Sequence, residues 1–339
     1  MRLDLNESPW PPPPSVLEAA ERALREANRY PRRELVEEAA RAVAEYNGVD
    51  EGMIVLGLGG DMVIEKAYSL AVAPGDRVLL PDPVFAMYRV YAASHGARTV
   101  TVTLEPEGEV WRLDWARMLE RLRSEEPRLL GLDNPNNPTG SLIVPGEAEL
   151  VELLEEASKR GTLVVLDEAY YEFSGVTYSH LAESYENLVI VRTLSKAFSL
   201  AGLRVGYAIA HPRLAERLRS IMPPFLPAPS LAAAAVAARE QGYARDTAER
   251  INAEKRWLSQ RLRMMGLHVY RSHTNFILAR IPRPGLAREL LERYGIAVKE
   301  YKLPHGVIGL RTTVGAPREN SLLAAALYEL LHGGRREGG

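Results

Sequence analysis

The sequence predicts an α/β fold with a mostly parallel sheet flanked by helices. Short apolar runs of strand length alternate with amphipathic helical patterns along 339 residues, and several runs end in polar or glycine-rich loops. A hydrophobic content of 46% is enough for a large core, and the length suits about two domains. The predicted strands are Met53 to Leu56, Val78 to Leu80, Leu129 to Leu132, Leu163 to Leu166, Leu188 to Val191 and Val205 to Ala210.

Amphipathic patterns predict helices between and after these strands. They cover Ser15 to Ala27, Leu35 to Tyr46, Ile64 to Val72, Glu147 to Arg160 and Leu231 to Met265, the last of which can be broken. A proline-rich stretch from Pro223 to Pro229 precedes that last helix and is predicted to be a hinge or a lid. Behind it, Val269 to Arg280, Leu286 to Tyr294 and Leu310 to Leu331 predict a second, smaller α/β domain.

Composition and missing motifs exclude several classes of function. A net charge of −2 gives no basic surface for nucleic acid, and a chain without cysteine forms no disulfide. The seven histidines include no i, i+4 pair, so no metal site is expected. Met62 interrupts the glycine pattern of a dinucleotide site, and neither a P-loop nor a G-x-S-x-G motif occurs. No apolar run reaches membrane-spanning length and the first residues lack a signal-peptide pattern, so a cytoplasmic protein without membrane partners is expected.

Lys196 is the residue most informative about function. It follows the apolar run from Leu188 to Val191, so we expect it at the mouth of a buried strand, where desolvation lowers the pKa of an amine and makes it nucleophilic toward carbonyls. Thr193, Ser195 and Arg204 lie near it in the sequence and suit a phosphate. An amine that forms a Schiff base beside a phosphate site is what holds pyridoxal phosphate, although a lysine after a strand can also be an ordinary surface residue.

Two loops upstream carry groups of matching chemistry. The apolar run from Leu163 to Leu166 ends in Asp167, 29 positions before Lys196, and this separation allows one helix-containing crossover between neighbouring parallel strands. A carboxylate there can pair with a protonated pyridine nitrogen, and Tyr170 can reach the phenolic oxygen of the same ring. Asn137, in a turn with two Asn-Pro steps, can donate to that oxygen. Each feature alone is compatible with a helix cap or a turn, but their order before the lysine favours a cofactor site.

The chain resembles the fold-type I, class II aminotransferases that use pyridoxal 5′-phosphate, and among them most closely the histidinol-phosphate aminotransferase family. The resemblance spans nearly the whole chain. The segments that carry it are Leu5 to Pro9, Asn28 to Pro31, Asn136 to Gly140, Asp167 to Tyr170, Arg192 to Phe198, Ser272 to Phe276 and Leu310 to Gly315. It implies a large cofactor-binding domain over residues 30–235 and a small domain made of residues 1–29 and 236–339.

The resemblance also implies roles for residues that are ambiguous on their own. Gly60, Asp61 and Met62 match the turn that cradles the cofactor phosphate at a helix N-terminus, with Met62 where the family usually has glutamate. Phe85 matches the aromatic residue that stacks on the cofactor ring. Tyr30 matches the residue that reaches the cofactor phosphate of the neighbouring subunit, which implies a homodimer with shared sites.

The implied substrate residues leave the amino donor open. Arg311 matches the arginine that binds the anionic group of the substrate, and Asn6 lies in the N-terminal motif and is expected to contact the substrate. Lys299 stands where the family usually has a second arginine, and a lysine binds phosphate without the bidentate fork. The implied reaction moves the amino group between L-histidinol phosphate and 2-oxoglutarate; an aromatic or broad-specificity aminotransferase and a threonine-phosphate decarboxylase are the alternatives. The implied catalytic residues are Lys196, Asp167 and Tyr170.

Overall fold

The structure is a computed structural model that describes residues 1–332, and these residues form a sheet of eight strands and a sheet of four. The strands are β1 (Ile54–Gly57), β2 (Arg77–Asp82), β3 (Arg98–Glu107), β4 (Val110–Leu113), β5 (Leu129–Asp133), β6 (Leu163–Asp167), β7 (Leu188–Thr193), β8 (Gly206–Ala210), β9 (His268–Val269), β10 (Phe276–Arg280), β11 (Lys299–Lys302) and β12 (Ile308–Thr313). The helices are α1 (Pro14–Leu24), α2 (Arg33–Asn47), α3 (Gly60–Ala71), α4 (Ala86–Ser94), α5 (Trp115–Glu125), α6 (Glu147–Lys159), α7 (Tyr171–Ser174), α8 (Pro212–Ile221), α9 (Ala228–Arg239), α10 (Gly242–Met264), α11 (Leu286–Tyr294) and α12 (Pro317–His332). Short 3₁₀ helices cover Glu51–Met53, Ser179–Glu183, Ala201–Leu203 and Pro304–Gly306.

The large sheet has the strand order β1-β8-β7-β6-β5-β2-β3-β4. The neighbours from β3 through β2, β5 and β6 to β7 are parallel, whereas β8 is antiparallel to both β7 and β1, and β4 is antiparallel to β3. The predicted mostly parallel α/β sheet is therefore confirmed. Every residue of β5, β6, β7 and β8 is buried, as expected for central strands with helices on both faces.

Two apolar layers enclose the large sheet. Ile64 of α3 lies in the layer on one face, and Val43 of α2 lies in the layer on the other. Residues of β6 alternate between the two layers: Val164 and Leu166 pack into the second and Val165 into the first. Because a shift of one residue would exchange these faces, burial on both sides fixes the register and aligns the ends of the central strands.

The small sheet has the order β11-β12-β10-β9 and is antiparallel throughout. Helices α10 and α11 pack against its strands, and α12 packs against both helices. The first residues of the chain join this sheet. Arg2 forms a parallel bridge with Ala297, the amide of Leu3 donates to the oxygen of Ala297 at 2.8 Å, and the amide of Thr313 donates to the oxygen of Leu3 at 2.8 Å. The N-terminal segment is thus held beside the C-terminal part of the chain.

Most predicted elements are present with ends shifted by a few residues. The predicted helix from Leu231 to Met265 is two helices, α9 and α10, which are separated at Glu240 and Gln241. Seven strands and α-helices were not predicted: β3, β4, β11, α4, α5, α7 and α8. In β3, exposed and half-buried threonines interrupt the apolar pattern, because this strand lies near the edge of the sheet.

The large sheet falls within residues 30–235 and the small sheet within residues 236–339, although the domain boundaries themselves stay a prediction. Helix α1 packs against α9. The stretch from Pro223 to Pro229 is an extended connection that leads into the first turn of α9, and its role as a hinge or lid also stays a prediction. Across residues 1–332, none of the helices is both long and apolar enough to cross a bilayer.

Candidate active site

A cavity of about 240 Å³ opens at the carboxyl ends of β5, β6 and β7. Open α/β sheets bind ligands at this edge, in the crevice outside the carboxyl ends of the strands. All but two of the predicted site residues line the cavity; the exceptions are Met62 and Tyr30. The lining residues are Asp4, Leu5, Asn6, Gly60, Asp61, Phe85, Asp133, Pro135, Asn137, Asp167, Ala169, Tyr170, Thr193, Ser195, Lys196, Arg204, Lys299 and Arg311.

Lys196 lies on the loop after β7, and its amine is held at the cavity wall. Its Nζ donates to the main-chain oxygen of Asn6 at 3.1 Å and to that of Leu5 at 3.3 Å. Burial, and next the positive charge of Arg311, lower the pKa of Lys196 to about 8. Near neutral pH, a much larger fraction of this amine than of an ordinary lysine is therefore deprotonated, which is the form that attacks carbonyls.

Asp167 is the last residue of β6, and its carboxyl group is buried. The Oδ1 atom accepts a hydrogen bond from the amide of Ala169 at 3.0 Å. Burial raises the pKa of Asp167 to about 7, while the nearby charge of Lys196 acts in the opposite direction. Because a cation in the cavity would favour the ionised carboxylate, Asp167 is suited to hold a protonated ring nitrogen.

A second acid, Asp133, ends the neighbouring strand β5 and lies opposite Asp167 in the parallel register. Its Oδ2 accepts hydrogen bonds from the amides of Phe85 and Asn137, both at 2.9 Å. Burial raises the pKa of Asp133 to about 8, and these hydrogen bonds act against that shift. Asp133 is not among the predicted site residues, although, like Asp167, it is an acid at the end of an apolar run.

The turn between β1 and α3 is packed so closely that a side chain would not fit at its glycines. Gly59 has a φ of 86°, and a side chain there would collide with Arg204. A Cβ at Gly206 would collide with the backbone of Gly59 and Gly60. Arg204 is held in place by Asp61, since its Nη2 lies 2.8 and 2.9 Å from the two carboxylate oxygens. A helix N-terminus of this kind, with a fixed cation beside it, is suited to an anion such as phosphate.

Two hydroxyl groups at the end of β7 lie next to this turn. The amide of Ser195 donates to Oγ1 of Thr193 at 3.1 Å, and the hydroxyl of Thr193 donates to Oγ of Ser195 at 2.9 Å. Both residues are buried and both line the cavity. They add neutral donors to the cationic side of the site.

Arg311 on β12 is buried without an acidic partner in the described part of the chain. Its Nη1 donates to Oδ1 of Asn137 at 2.7 Å and its Nη2 donates to the main-chain oxygen of Asp4 at 2.5 Å, while its Nε has no hydrogen-bond partner. Nearby, Nδ2 of Asn6 donates to the hydroxyl of Tyr170 at 2.9 Å. A buried guanidinium is costly unless an anion reaches it, so this part of the cavity is suited to an anionic substrate group.

Lys299 is paired with Arg311 in the register of the small sheet and lines the same cavity. Burial, and next the charge of Arg311, lower the pKa of Lys299. Lys299 is only partly buried and its side chain also reaches solvent, whereas that of Arg311 is buried. The two cations lie on adjacent strands at one end of the cavity, where they can share one anion.

A buried ion pair lies beneath the cavity. Arg192 precedes Thr193 on β7, and Glu168 follows Asp167 after β6. Nη2 of Arg192 lies 2.8 Å from Oε2 of Glu168, and both side chains are almost fully buried. Arg192 also donates to Oδ1 of Asn47 at 2.6 Å. The pair therefore connects the ends of the two strands that deliver the buried acid and the cavity lysine.

Met62 and Tyr30 lie outside the cavity, and their cofactor roles stay predictions. Met62 belongs to the first turn of α3, next to the glycine turn. Tyr30 is 74% exposed, and its ring stacks on that of Phe225 with a centroid distance of 4.2 Å. Exposed stacked aromatic rings are typical of surfaces that contact another protein.

Comparisons with known proteins agree with this geometry. Residues 1–327 match the family model described as aminotransferase class I and II. The chain is 36% identical over 336 residues to histidinol-phosphate aminotransferase from Sulfurisphaera tokodaii. The aligned residues cover 98% of this chain and 91% of the relative. The chain is 35% identical over 334 residues to histidinol-phosphate aminotransferase 1 from Archaeoglobus fulgidus, with 98% and 99% of the two chains covered.

A solved structure extends the likeness to the backbone. The crystal structure of histidinol-phosphate aminotransferase from Sinorhizobium meliloti, in complex with pyridoxal-5′-phosphate, has a TM-score of 0.89 at 27% identity and covers 98% of this chain and 91% of that one. The architecture is therefore that of the fold-type I enzymes. The chain belongs to the class I and II aminotransferases, whose cofactor is pyridoxal 5′-phosphate.

Proposed function

We propose that this chain moves the amino group between L-histidinol phosphate and 2-oxoglutarate, a step of histidine biosynthesis. The observation that carries the proposal is the meeting of Lys196, Asp167 and Arg311 in one cavity: an amine of lowered pKa, a buried acid, and a buried cation without an acidic partner in residues 1–332. The two relatives described above bear the corresponding name, and their similarity covers nearly the whole chain.

The cavity residues fit pyridoxal 5′-phosphate. When bound, this cofactor supplies a carbonyl carbon that takes up the amino group and a ring that accepts electrons from the substrate. Backbone amides at Gly60 and the guanidinium of Arg204 would hold its phosphate, because no side chain fills the turn there. The hydroxyl of Ser195 would add a hydrogen bond to the same group, and the hydroxyl of Thr193 would add another by turning its proton from Ser195 to the phosphate.

Lys196 would have two tasks in turn: it would hold the cofactor covalently before the substrate binds, and once the substrate amine has displaced it, its free amine would move a proton. Its deprotonated Nζ can accept the proton of the substrate α-carbon, and the carbonyl oxygens of Leu5 and Asn6 orient that atom. Asp167, as a carboxylate, would keep a proton on the ring nitrogen. Asn137 uses its Oδ1 to accept from Arg311, so its Nδ2 can donate to the phenolic oxygen. The hydroxyl of Tyr170 would be a second donor to that oxygen.

The amine of Lys196 should capture the cofactor faster as pH rises through about 8. Only the deprotonated amine attacks a carbonyl, and burial moves this change far below the pKa of about 10.4 of an ordinary lysine. Stopped-flow absorbance of apoenzyme mixed with pyridoxal phosphate across a series of pH values would measure it. A capture rate that continues to rise to about pH 10 would contradict the buried position of this amine.

Lys299 should contribute to the affinity for the substrate phosphate. Replacement of Lys299 by methionine should raise KM for histidinol phosphate about tenfold and change kcat little, because one charge-assisted hydrogen bond is lost. Lys299→Arg should lower KM, since arginine offers a bidentate fork. Lys302→Met is the matched control, because Lys302 is an exposed lysine of the same strand that does not line the cavity. Equal KM values for all four proteins would remove Lys299 from the substrate site.

The first experiment is a spectral titration of the holoenzyme with histidinol phosphate in the absence of a keto acid. Loss of the visible absorbance band at low substrate concentration is expected, because the amino group passes to the cofactor. Loss of the band with aromatic amino acids alone would favour the broad-specificity alternative. Release of carbon dioxide from threonine phosphate without consumption of a keto acid would favour the decarboxylase.

The proposal includes a homodimer in which Tyr30 reaches the partner's cofactor phosphate. Its support is the exposure of the Tyr30 ring outside its own cavity. Mixing the variants Tyr30→Ala and Lys196→Ala, each of low activity, should restore about a quarter of the activity per site, because random pairing gives some sites that have both native residues. Absence of any restoration, with subunit exchange verified by mass spectrometry, would contradict the shared site. The cytoplasmic location stays a prediction from the sequence.

A further inference from the structure

Asp133 is a buried carboxylate in the cavity wall to which the proposed reaction gives no role. It is the last residue of β5 and is 2% exposed. Its Oδ2 accepts from the amides of Phe85 and Asn137, both at 2.9 Å, and its Oδ1 accepts from Nδ2 of Asn136 at 2.7 Å. All three partners donate, so they hold the carboxyl group in one orientation and oppose the rise in its pKa that burial causes.

The partners of Asp133 come from two different loops. Phe85 lies on the loop between β2 and α4, whereas Asn136 and Asn137 follow β5. Nδ2 of Asn136 also donates to the oxygen of Pro83 at 3.0 Å, which gives a second link between the loops. Without Asp133, the amides of Phe85 and Asn137 would lose the acceptor that they share. Because an unpaired buried amide is unfavourable, both loops would have to rearrange.

The same hydrogen bonds extend to the substrate end of the cavity. Asn137 is held through its main chain by Asp133, and its Oδ1 accepts from Nη1 of Arg311 at 2.7 Å. Displacement of the Asn137 backbone therefore removes a partner of Arg311. Asp133 is thereby connected through Asn137 to Arg311, the cation proposed to bind the substrate.

We propose that Asp133 is a positioning residue, which fixes Phe85 against the cofactor ring and Asn137 against its phenolic oxygen and Arg311. The proposal rests on the roles given above to Phe85 and Asn137. It differs from the role of Asp167, because Asp133 acts through the two loops that it joins. The substitution Asp133→Asn keeps the shape of the side chain, and its oxygen can still accept both main-chain hydrogen bonds. Its NH2 group then faces the NH2 group of Asn136, so the third hydrogen bond is lost. Asp133→Leu removes all three hydrogen bonds and keeps the branching of the side chain.

The test compares these two variants with a matched control, Thr162→Val. Thr162 is equally buried, its hydroxyl donates to the oxygen of Pro127 at 2.6 Å, and it precedes β6 at the opposite end of the strand from Asp167. The measurements are the dissociation constant of pyridoxal phosphate, the visible circular dichroism of the bound cofactor, and KM for the amino donor. The dichroism reports how rigidly the ring is oriented, so a general loss of stability does not change it.

The dissociation constant should rise about tenfold in Asp133→Asn and about a hundredfold in Asp133→Leu, with reduced visible dichroism and raised KM in both. Thr162→Val should resemble the native protein in all three measurements. Native values of dissociation constant and dichroism in Asp133→Leu would overturn the proposal. If that variant does not fold, native values in the nearly isosteric Asp133→Asn would overturn it equally. A native protein that binds pyridoxal phosphate but does not act on histidinol phosphate would refute the proposed substrate and leave this inference intact.

Discussion

Replacement of Lys196 by alanine should lower turnover by about 10⁴-fold or more. The substitution removes the nucleophile that holds the cofactor and the atom that moves the proton, and these two losses act on the same step. The visible absorbance band of the covalently held cofactor should be absent as well. Steady-state turnover and the absorption spectrum of the variant after dialysis against pyridoxal phosphate measure both effects.

A second buried amine provides the control for this experiment. Lys255 donates to the main-chain oxygen of Thr274 at 2.6 Å, and burial lowers its pKa to about 7. It does not line the cavity. Lys255→Met should retain turnover and the visible band, because a low pKa without a place in the site is not sufficient for function. Turnover by Lys196→Ala at the native rate would refute the assignment of the active site.

Breaking the buried pair of Arg192 and Glu168 should lower the free energy of unfolding by about 3–5 kcal/mol. In Arg192→Met the carboxylate of Glu168 stays buried without its cation, and Glu168→Gln leaves the guanidinium in the same situation. The double variant should lose less than the sum of the single losses, since it buries no unpaired charge. Denaturant unfolding followed by far-ultraviolet circular dichroism gives the four values of this cycle.

An exposed ion pair shows how much of that loss comes from burial. Arg33 on α2 is exposed and its Nε lies 2.7 Å from Oε1 of Glu37, so Arg33→Met should lower the free energy of unfolding far less than Arg192→Met. If Arg192→Met costs no more than this surface control, the pair beneath the cavity does not stabilise the two strand ends.

The site residues that could be predicted from the sequence are polar or charged residues at the end of a strongly apolar strand or directly after it. Lys196 and Asp167 lie at such positions, and the structure brings both to one cavity. The strand ends are aligned because burial on both faces fixes the register, so position along the chain translates directly into position at the sheet edge. The same reasoning applies to Asp133. The turn with two Asn-Pro steps that follows it was interpreted through Asn137 alone, so Asp133 was not predicted.

Other features depend on contacts between distant parts of the chain and have no local signal. The hydrogen bonds from Lys196 to Leu5 and Asn6 join residues about 190 positions apart. Strands near the edge of the sheet, such as β3, are partly exposed, so their apolar pattern is weak. The role of Tyr30 depends on a second subunit, and a single chain shows only that its ring is exposed.

Residues 4–6 line one side of the cavity, and residues much further along the chain hold them in place. The amide of Asn6 donates to Oγ1 of Thr313 at 2.9 Å, and its oxygen accepts from Nδ2 of Asn275 at 2.9 Å. On the ribosome, the segment around Asn6 is synthesised well before its partners, which follow it by 269 and 307 positions. Domains fold as units while they emerge, so the large sheet can form long before this segment is anchored. A nascent chain therefore presents a cofactor pocket that is open on one side until the small sheet is complete.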